Sequence, residues 1–109
     1  MIKKINFQMI IEVTTLKIQP GKNNEFEAAI KKSAESFIAP FPGCQGYSLR
    51  HCIEEPLQYV IEIQWKTLAD HIEGFRASEA FTEWRANISL YFAESPNTYN
   101  CEFLATKSI

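Results

Sequence analysis

The chain has 109 residues, 46% of them hydrophobic and 22% charged, with a net charge of −2. That is enough for one domain with a real core and too little for two, so a single domain over 1–109 is expected, with its core at about 10–104. The small acidic balance and the lack of any basic run give no case for nucleic acid, and no segment is long and apolar enough to span a membrane.

In chain order, Lys3 to Phe7 reads as a loose N-terminal arm. Met1 to Ile11 carries no long apolar run and no small-residue cleavage site, so it is not read as a signal peptide, and a cytoplasmic protein is expected. Ile10 to Ile18 is rich in β-branched residues and predicts a first strand, ended by Gln19-Pro20-Gly21. A first helix starts near Lys22 or Asn23, with Phe26, Ala29, Ile30, Ser33 and Phe37 on one face. Pro40-Phe41-Pro42-Gly43 stops it. Cys44 to Ile53 predicts a second strand, with Tyr47, Leu49 and His51 sharing a face. Glu54-Glu55-Pro56 is a turn, and a third strand runs from Leu57 or Gln58 through Trp65 as the partner of the second in a hairpin.

Thr67 is placed to cap a second helix, broken near Ala77-Ser78 and ending around Phe92. Two polar residues interrupt its apolar stripes. His71 lies on the stripe of Leu68, Ile72 and Phe75; Arg85 lies on that of Phe81, Ile88 and Phe92. A buried charge is costly unless it is paired or faces a cavity, so both residues point to a lined pocket. After a turn at Glu94-Ser95-Pro96-Asn97, Thr98 to Leu104 predicts the last strand, and Ala105 to Ile109 is a tail.

The three cysteines, Cys44, Cys52 and Cys101, form no CxxC and are odd in number, which argues against a disulfide framework and a zinc site. His51 adjoins Cys52, but strand neighbours point to opposite faces, so the pair is no dyad.

The order β-α-β-β-α-β predicts a ferredoxin-like α+β fold: a four-stranded antiparallel sheet with both helices on one face. The uncovered face would carry Val60, Glu62 and Gln64 if Ile61, Ile63 and Trp65 face the helices. A half-apolar open face is best hidden against a second copy, and a homodimer is expected.

Pro20-Gly21-Lys22, Pro42-Gly43-Cys44 with Gly46-Tyr47, Tyr59-Val60, Trp65-Lys66-Thr67, His71, Phe75-Arg76, Ser78, Phe81, Trp84-Arg85 and Phe92 together resemble the antibiotic biosynthesis monooxygenase domain family. The resemblance covers about Ile10 to Phe103 and implies the dimeric α+β barrel. The family includes cofactor-independent quinol monooxygenases, haem-degrading monooxygenases and an isomerase of a phosphorylated autoinducer. In the quinol monooxygenases a strand-three tryptophan lies in the substrate pocket and a helix-two arginine contacts substrate; Trp65 and Arg85 match them. A strand-two histidine is matched by His51, and a pocket tyrosine on helix two corresponds to His71. The strand-three asparagine of those enzymes, four residues before the tryptophan, is here Ile61. The haem-degrading members share that asparagine and add a helix-two histidine that ligates iron, where this chain offers Arg85. Haem degradation is therefore disfavoured, and neither cofactor nor metal is expected.

The resemblance implies a cofactor-free monooxygenase acting on a small phenol or quinol with O2. Such chemistry needs an aromatic-walled cavity, a base for the phenolic proton and a cation for the resulting oxyanion. His71, His51, Trp65 and Arg85 are the candidates for these roles. Ile61, Phe75 and Phe81 are expected to line the substrate site, and Tyr47 and Tyr91 either supply hydroxyls or merely pack. Two other readings use the same site: a proton-shuffling isomerase, and a non-catalytic dimeric ligand-binding protein.

Overall fold

The computed structural model describes residues 9–109; the arm expected at Lys3 to Phe7 lies outside the described residues. Strand β1 is Ile10–Lys17, β2 is Cys44–His51, β3 is Gln58–Trp65 and β4 is Asn97–Glu102. They form one antiparallel sheet in the order β2-β3-β1-β4. Helix α1 spans Asn23–Ser33 and continues as a wider π-helical turn, Ala34–Ile38. The second helical region has three pieces: a π-helical segment Asp70–Phe75, helix α2 at Glu79–Ile88, and a short 3₁₀ turn at Ser89–Tyr91. The chain is thus the ferredoxin-like β-α-β-β-α-β arrangement that its element order predicts. No helix among the described residues is long and apolar enough to cross a membrane.

Strand alternation decides what the helices cover. Ile10, Glu12, Thr14 and Leu16 of β1 point under them, as do Tyr59, Ile61, Ile63 and Trp65 of β3. Phe26, Ile30, Ala34 and Ile38 from the first helical region, and Phe75, Trp84 and Ile88 from the second, complete the core. The other sheet face carries Ile11, Val13, Thr15, Val60, Glu62, Gln64 and Tyr99.

The break expected near Ala77-Ser78 is where α2 begins. Ser78 is extended, and its hydroxyl accepts from the Phe81 N–H at 3.2 Å and donates to the Phe75 carbonyl at 2.7 Å. Before the break, the Thr67 hydroxyl accepts from the Asp70 N–H at 3.1 Å, as expected of a cap. The stripe of Leu68, Ile72 and Phe75 is not realised. The segment winds with i→i+5 bonds, Arg76 N–H donating to the His71 carbonyl, and the wider turn aims His71 and Phe75 inward. Leu68 and Ile72 are left 48% and 43% exposed, whereas His71 is fully buried.

Gly43, in the turn just before β2, packs against this region. Its carbonyl accepts from the Lys66 N–H at 2.8 Å, and its φ is +92°. A Cβ there would lie 2.5 Å from Asp70 Cγ. Gly43→Ala should therefore lower stability by about 1–3 kcal/mol, from backbone strain and the clash together. Urea unfolding of the two proteins checks this; an unchanged midpoint would mean that neither the backbone at this φ nor Asp70 resists the added methyl.

Candidate functional site

Between the sheet and α2 lies a cavity of about 260 Å³. Its apolar walls include Leu16, Ile61, Ile63, Phe81, Trp84, Ile88 and Phe92. Its polar groups come from two sides. Glu12 and Thr14 rise from β1, joined by Thr98 of β4, while Arg85 comes from α2 and Arg76 from the end of the π-helical segment. The Arg85 guanidinium carbon lies 5.8 Å from the Phe81 ring centre and 5.6 Å from that of Phe92, within cation–π range of both. Its Nε is fully buried and has no hydrogen-bond partner.

Glu12 is the hub. It is buried, yet each carboxylate oxygen is engaged. Oε1 accepts from the Trp65 indole N–H at 2.9 Å, and Oε2 from the Thr14 hydroxyl at 3.2 Å. His71 Nε2 lies 3.0 Å from Oε1. The imidazole is stacked parallel to the Trp65 indole, 5° between planes, so one oxygen cannot lie along both N–H directions. The indole takes the aligned hydrogen bond, and the His71 contact is a close approach without one. The other imidazole nitrogen, Nδ1, sits 2.7 Å from Asn100 Oδ1 on β4. An amide can face a ring nitrogen with either its oxygen or its NH₂, so Asn100 can serve both tautomers of His71.

The structure brings together some of the sequence-predicted residues and disperses others. Arg85, Ile61 and Phe81 line the cavity. Trp65 and His71 do not line it; they back Glu12 from behind, fully buried. Phe75 is one layer deeper still, its ring packed between those of Trp65 and Phe81. His51 lies elsewhere. It pairs across the hairpin with Tyr59, which is six residues, or about 20 Å, along β3 from Trp65. There its Nε2 meets the Pro56 carbonyl at 2.8 Å and its ring stacks on Tyr59. Tyr47 is held at the α1 side by Glu35, whose hydrogen bond is the main reason its hydroxyl is pushed up to about 12. Tyr91 packs edge-on to Phe26. Neither tyrosine reaches the cavity.

Cys44 is close enough to Glu12 to feel its charge, but burial first, and that carboxylate in addition, push its thiol up. A protonated, half-buried thiol is a poor nucleophile. All three cysteines are free. Among the described residues no group of three histidine, cysteine or acidic side chains could hold a metal ion.

The polar residues that sequence reasoning missed are Glu12, Thr14, Arg76, Thr98 and Asn100. Strand parity was the available signal, since Ile10, Leu16 and Ile18 place Glu12 and Thr14 on the buried side. It is masked by Ile11 and Val13, which make the opposite parity equally apolar. Asn100 replaces nothing by position, but it does bring an amide to a site whose strand-three position is Ile61.

Chemically, the arrangement offers a carboxylate able to accept a proton, a cation opposite it, and aromatic walls around the space between. The carboxylate also holds the core. Glu12→Leu should be less stable than Glu12→Gln by about 1–3 kcal/mol, because only leucine leaves the buried indole N–H without an acceptor. Arg85→Leu should stay within about 1 kcal/mol of the parent, because it removes an unpartnered donor. Chemical denaturation of the three variants tests both; Glu12→Leu matching Glu12→Gln would deny the indole bond any structural weight.

A family model described as antibiotic biosynthesis monooxygenase matches residues 9–87. An uncharacterised Bacillus subtilis (strain 168) protein, YczJ, is 36% identical over 88 residues, covering 81% of this chain and 92% of its own. A candidate antibiotic biosynthesis monooxygenase from Bordetella bronchiseptica has a similar structure at TM-score 0.80 and 32% identity, covering 94% of this chain and 99% of that one. Another, from Caulobacter crescentus CB15, gives TM-score 0.78 at 28% identity, covering 91% and 93%. A third, from Nitrosomonas europaea, shares the fold at TM-score 0.79 and only 17% identity, covering 97% and 100%. The chain belongs to the antibiotic biosynthesis monooxygenase family.

Proposed function

We propose that the protein is a cofactor-independent monooxygenase that oxidises a small phenol or quinol with O2 in the cavity beneath α2, and that it works as a homodimer. The observation that carries this reading is the placing of Glu12 and Arg85 on facing elements across an aromatic-walled space. A substrate hydroxyl gives its proton to Glu12, and the anion left behind is electron-rich enough to pass an electron to O2. The two radicals join at a ring carbon, and the peroxide loses water. For a dihydroquinone the sum is dihydroquinone plus O2 giving hydroxyquinone plus water, all four electrons coming from the substrate. Arg85 stabilises the oxyanion that develops on the ring.

In this reading the role expected of His71 is exercised through Glu12. The imidazole lies against the carboxylate, its Nε2 3.0 Å from Oε1, and helps to fix where that carboxylate sits. Trp65 holds the same carboxylate in place. His51 has no part, since it sits at the far corner of the sheet.

The dimer is supported by the sheet face that the described residues leave open. There Val13 pairs with Tyr99 across β1 and β4, Ile11 precedes it on the same face, and Val60 faces Thr15, beside the Arg50–Glu62 ion pair at 2.9 Å. Tyr99 is 67% exposed, too much aromatic surface for a face meant to meet only water. A self-complementary contact with a second copy covers it.

Two measurements test the proposal. With a simple dihydroquinone and isotopically labelled O2, the protein should consume oxygen and place one labelled atom in the product. Glu12→Gln, which keeps an acceptor for Trp65, should slow this by about 100-fold or more. Full activity in that variant would dismiss Glu12 as the base, and proton exchange without oxygen uptake would favour the isomerase reading. Light scattering at micromolar concentration should give twice the 12.5 kDa chain mass; a folded monomer there would rule the dimer out.

A further inference from the structure

We propose that the molecule bound in this cavity is a hydroxylated aromatic acid: besides the hydroxyl that gives up its proton, it carries a permanent carboxylate. This rests on the reading above that the cavity is the substrate site, and it narrows the substrate from phenols in general to anionic ones.

The argument is a charge count. The charged residues of the lining are Glu12, Arg76 and Arg85, so the walls carry +1. Among the described residues, neither arginine has a carboxylate within ion-pair distance; Lys22 and Arg50 do, and His51 and His71 lie close to one. Glu12 does not serve them, since it lines the same cavity without coming within ion-pair distance of either. Both guanidinium groups instead rest on one ring, Arg76 at 5.2 Å and Arg85 at 5.8 Å from the centre of Phe81. Arg76 is exposed and stands at the mouth, while Arg85 reaches inside with a buried Nε that nothing satisfies. A buried donor on a charged group, left without a partner, is costly unless the ligand supplies the acceptor. A carboxylate fits, because its two oxygens match the fork of a guanidinium.

The count also holds through the proton transfer. A neutral phenol would meet walls of +1, then face walls of +2 as a monoanion once Glu12 is protonated; the charges match at neither stage. A hydroxy acid enters as −1 against +1 and becomes −2 against +2. It is balanced in both states, which matters most where water is scarce. Size sets the rest. A cavity of about 260 Å³ falls just under the ~300–1,000 Å³ usual for drug-sized ligands, so one ring is the fitting scale.

The test compares three probes on the unmodified protein by calorimetry: 4-hydroxybenzoate, phenol and benzoate. The hydroxy acid should bind at least about tenfold more tightly than either of the others, the scale of one charge-assisted hydrogen bond. Arg85→Gln should bring 4-hydroxybenzoate down to the level of phenol and leave phenol unchanged. Arg76→Gln, at an exposed position where folding is not at risk, should weaken only the two acids. Phenol binding as tightly as 4-hydroxybenzoate overturns the proposal, and so does an equal loss of both in Arg85→Gln. Oxygen uptake separates this from the oxygenase reading. If the acids bind selectively but neither hydroquinone nor 2,5-dihydroxybenzoate drives oxygen consumption, the oxygenase reading fails and the anion site stands. If hydroquinone is oxidised with a higher kcat/KM than 2,5-dihydroxybenzoate, the oxygenase reading stands and the anion site fails.

Discussion

A carboxylate under the helices of a small α+β protein must be given donors or it will not stay there. Glu12 is that carboxylate, and much of the surrounding structure serves to satisfy it. The indole N–H of Trp65 fixes one oxygen, the Thr14 hydroxyl the other, and His71 lies at ion-pair distance. Each partner is held in turn. Thr14 is bonded to Thr98, His71 to Asn100, and Trp65 is wedged by Phe41 and Phe75. One side chain thus ties β1 to β3, to the π-helical segment and, through Thr14 and His71, to β4. The same oxygens that hold the core together face the cavity, so stability and chemistry share their groups.

The irregularity of the second helical region is what makes room for this. A continuous α-helix from Asp70 to Phe92 would lay one straight stripe on the sheet. The chain instead takes a π-helical turn that points both His71 and Phe75 inward, stops at Ser78, and restarts as α2. Phe81, Trp84 and Arg85 then come down over β1 and β3 from the second piece, and the cavity is the space the restart leaves. π-helical turns are less favourable than α-helical ones and recur where a side chain has to be aimed, as His71 is here.

The fold was legible because its punctuation is plain. Pro20-Gly21, the Pro40 to Gly43 run, Glu54-Glu55-Pro56 and Pro96 separate the elements, and the spacing between them fits strands and helices of ordinary length. Arg85 was legible for a related reason: it interrupts an apolar stripe, and that stripe does line the cavity. Glu12 was not, because both faces of β1 are apolar. A strand with Ile10, Leu16 and Ile18 on one parity and Ile11 and Val13 on the other does not say which way its glutamate points. His71 was found, but its environment was not, since the partner that orients it, Asn100, lies on the last strand, and no local pattern links the two. The exposure of Leu68 and Ile72 was hidden by the π-helical winding, which ordinary helical spacing does not anticipate.

The bond between His71 and Asn100 spans 29 positions of sequence, and that between Glu12 and Trp65 spans 53. Contacts of such range form only once the chain has closed long loops, at the entropic cost such closure carries. β4, the last strand, sits at the sheet edge, and all of its residues are exposed. The imidazole beside the carboxylate is therefore anchored by the part of the sheet most able to fray. Were that edge strand to lift, His71 would lose its anchor while the core beneath stayed folded, so the electrostatics of the site depend on the pairing of one strand rather than on the global stability of the domain.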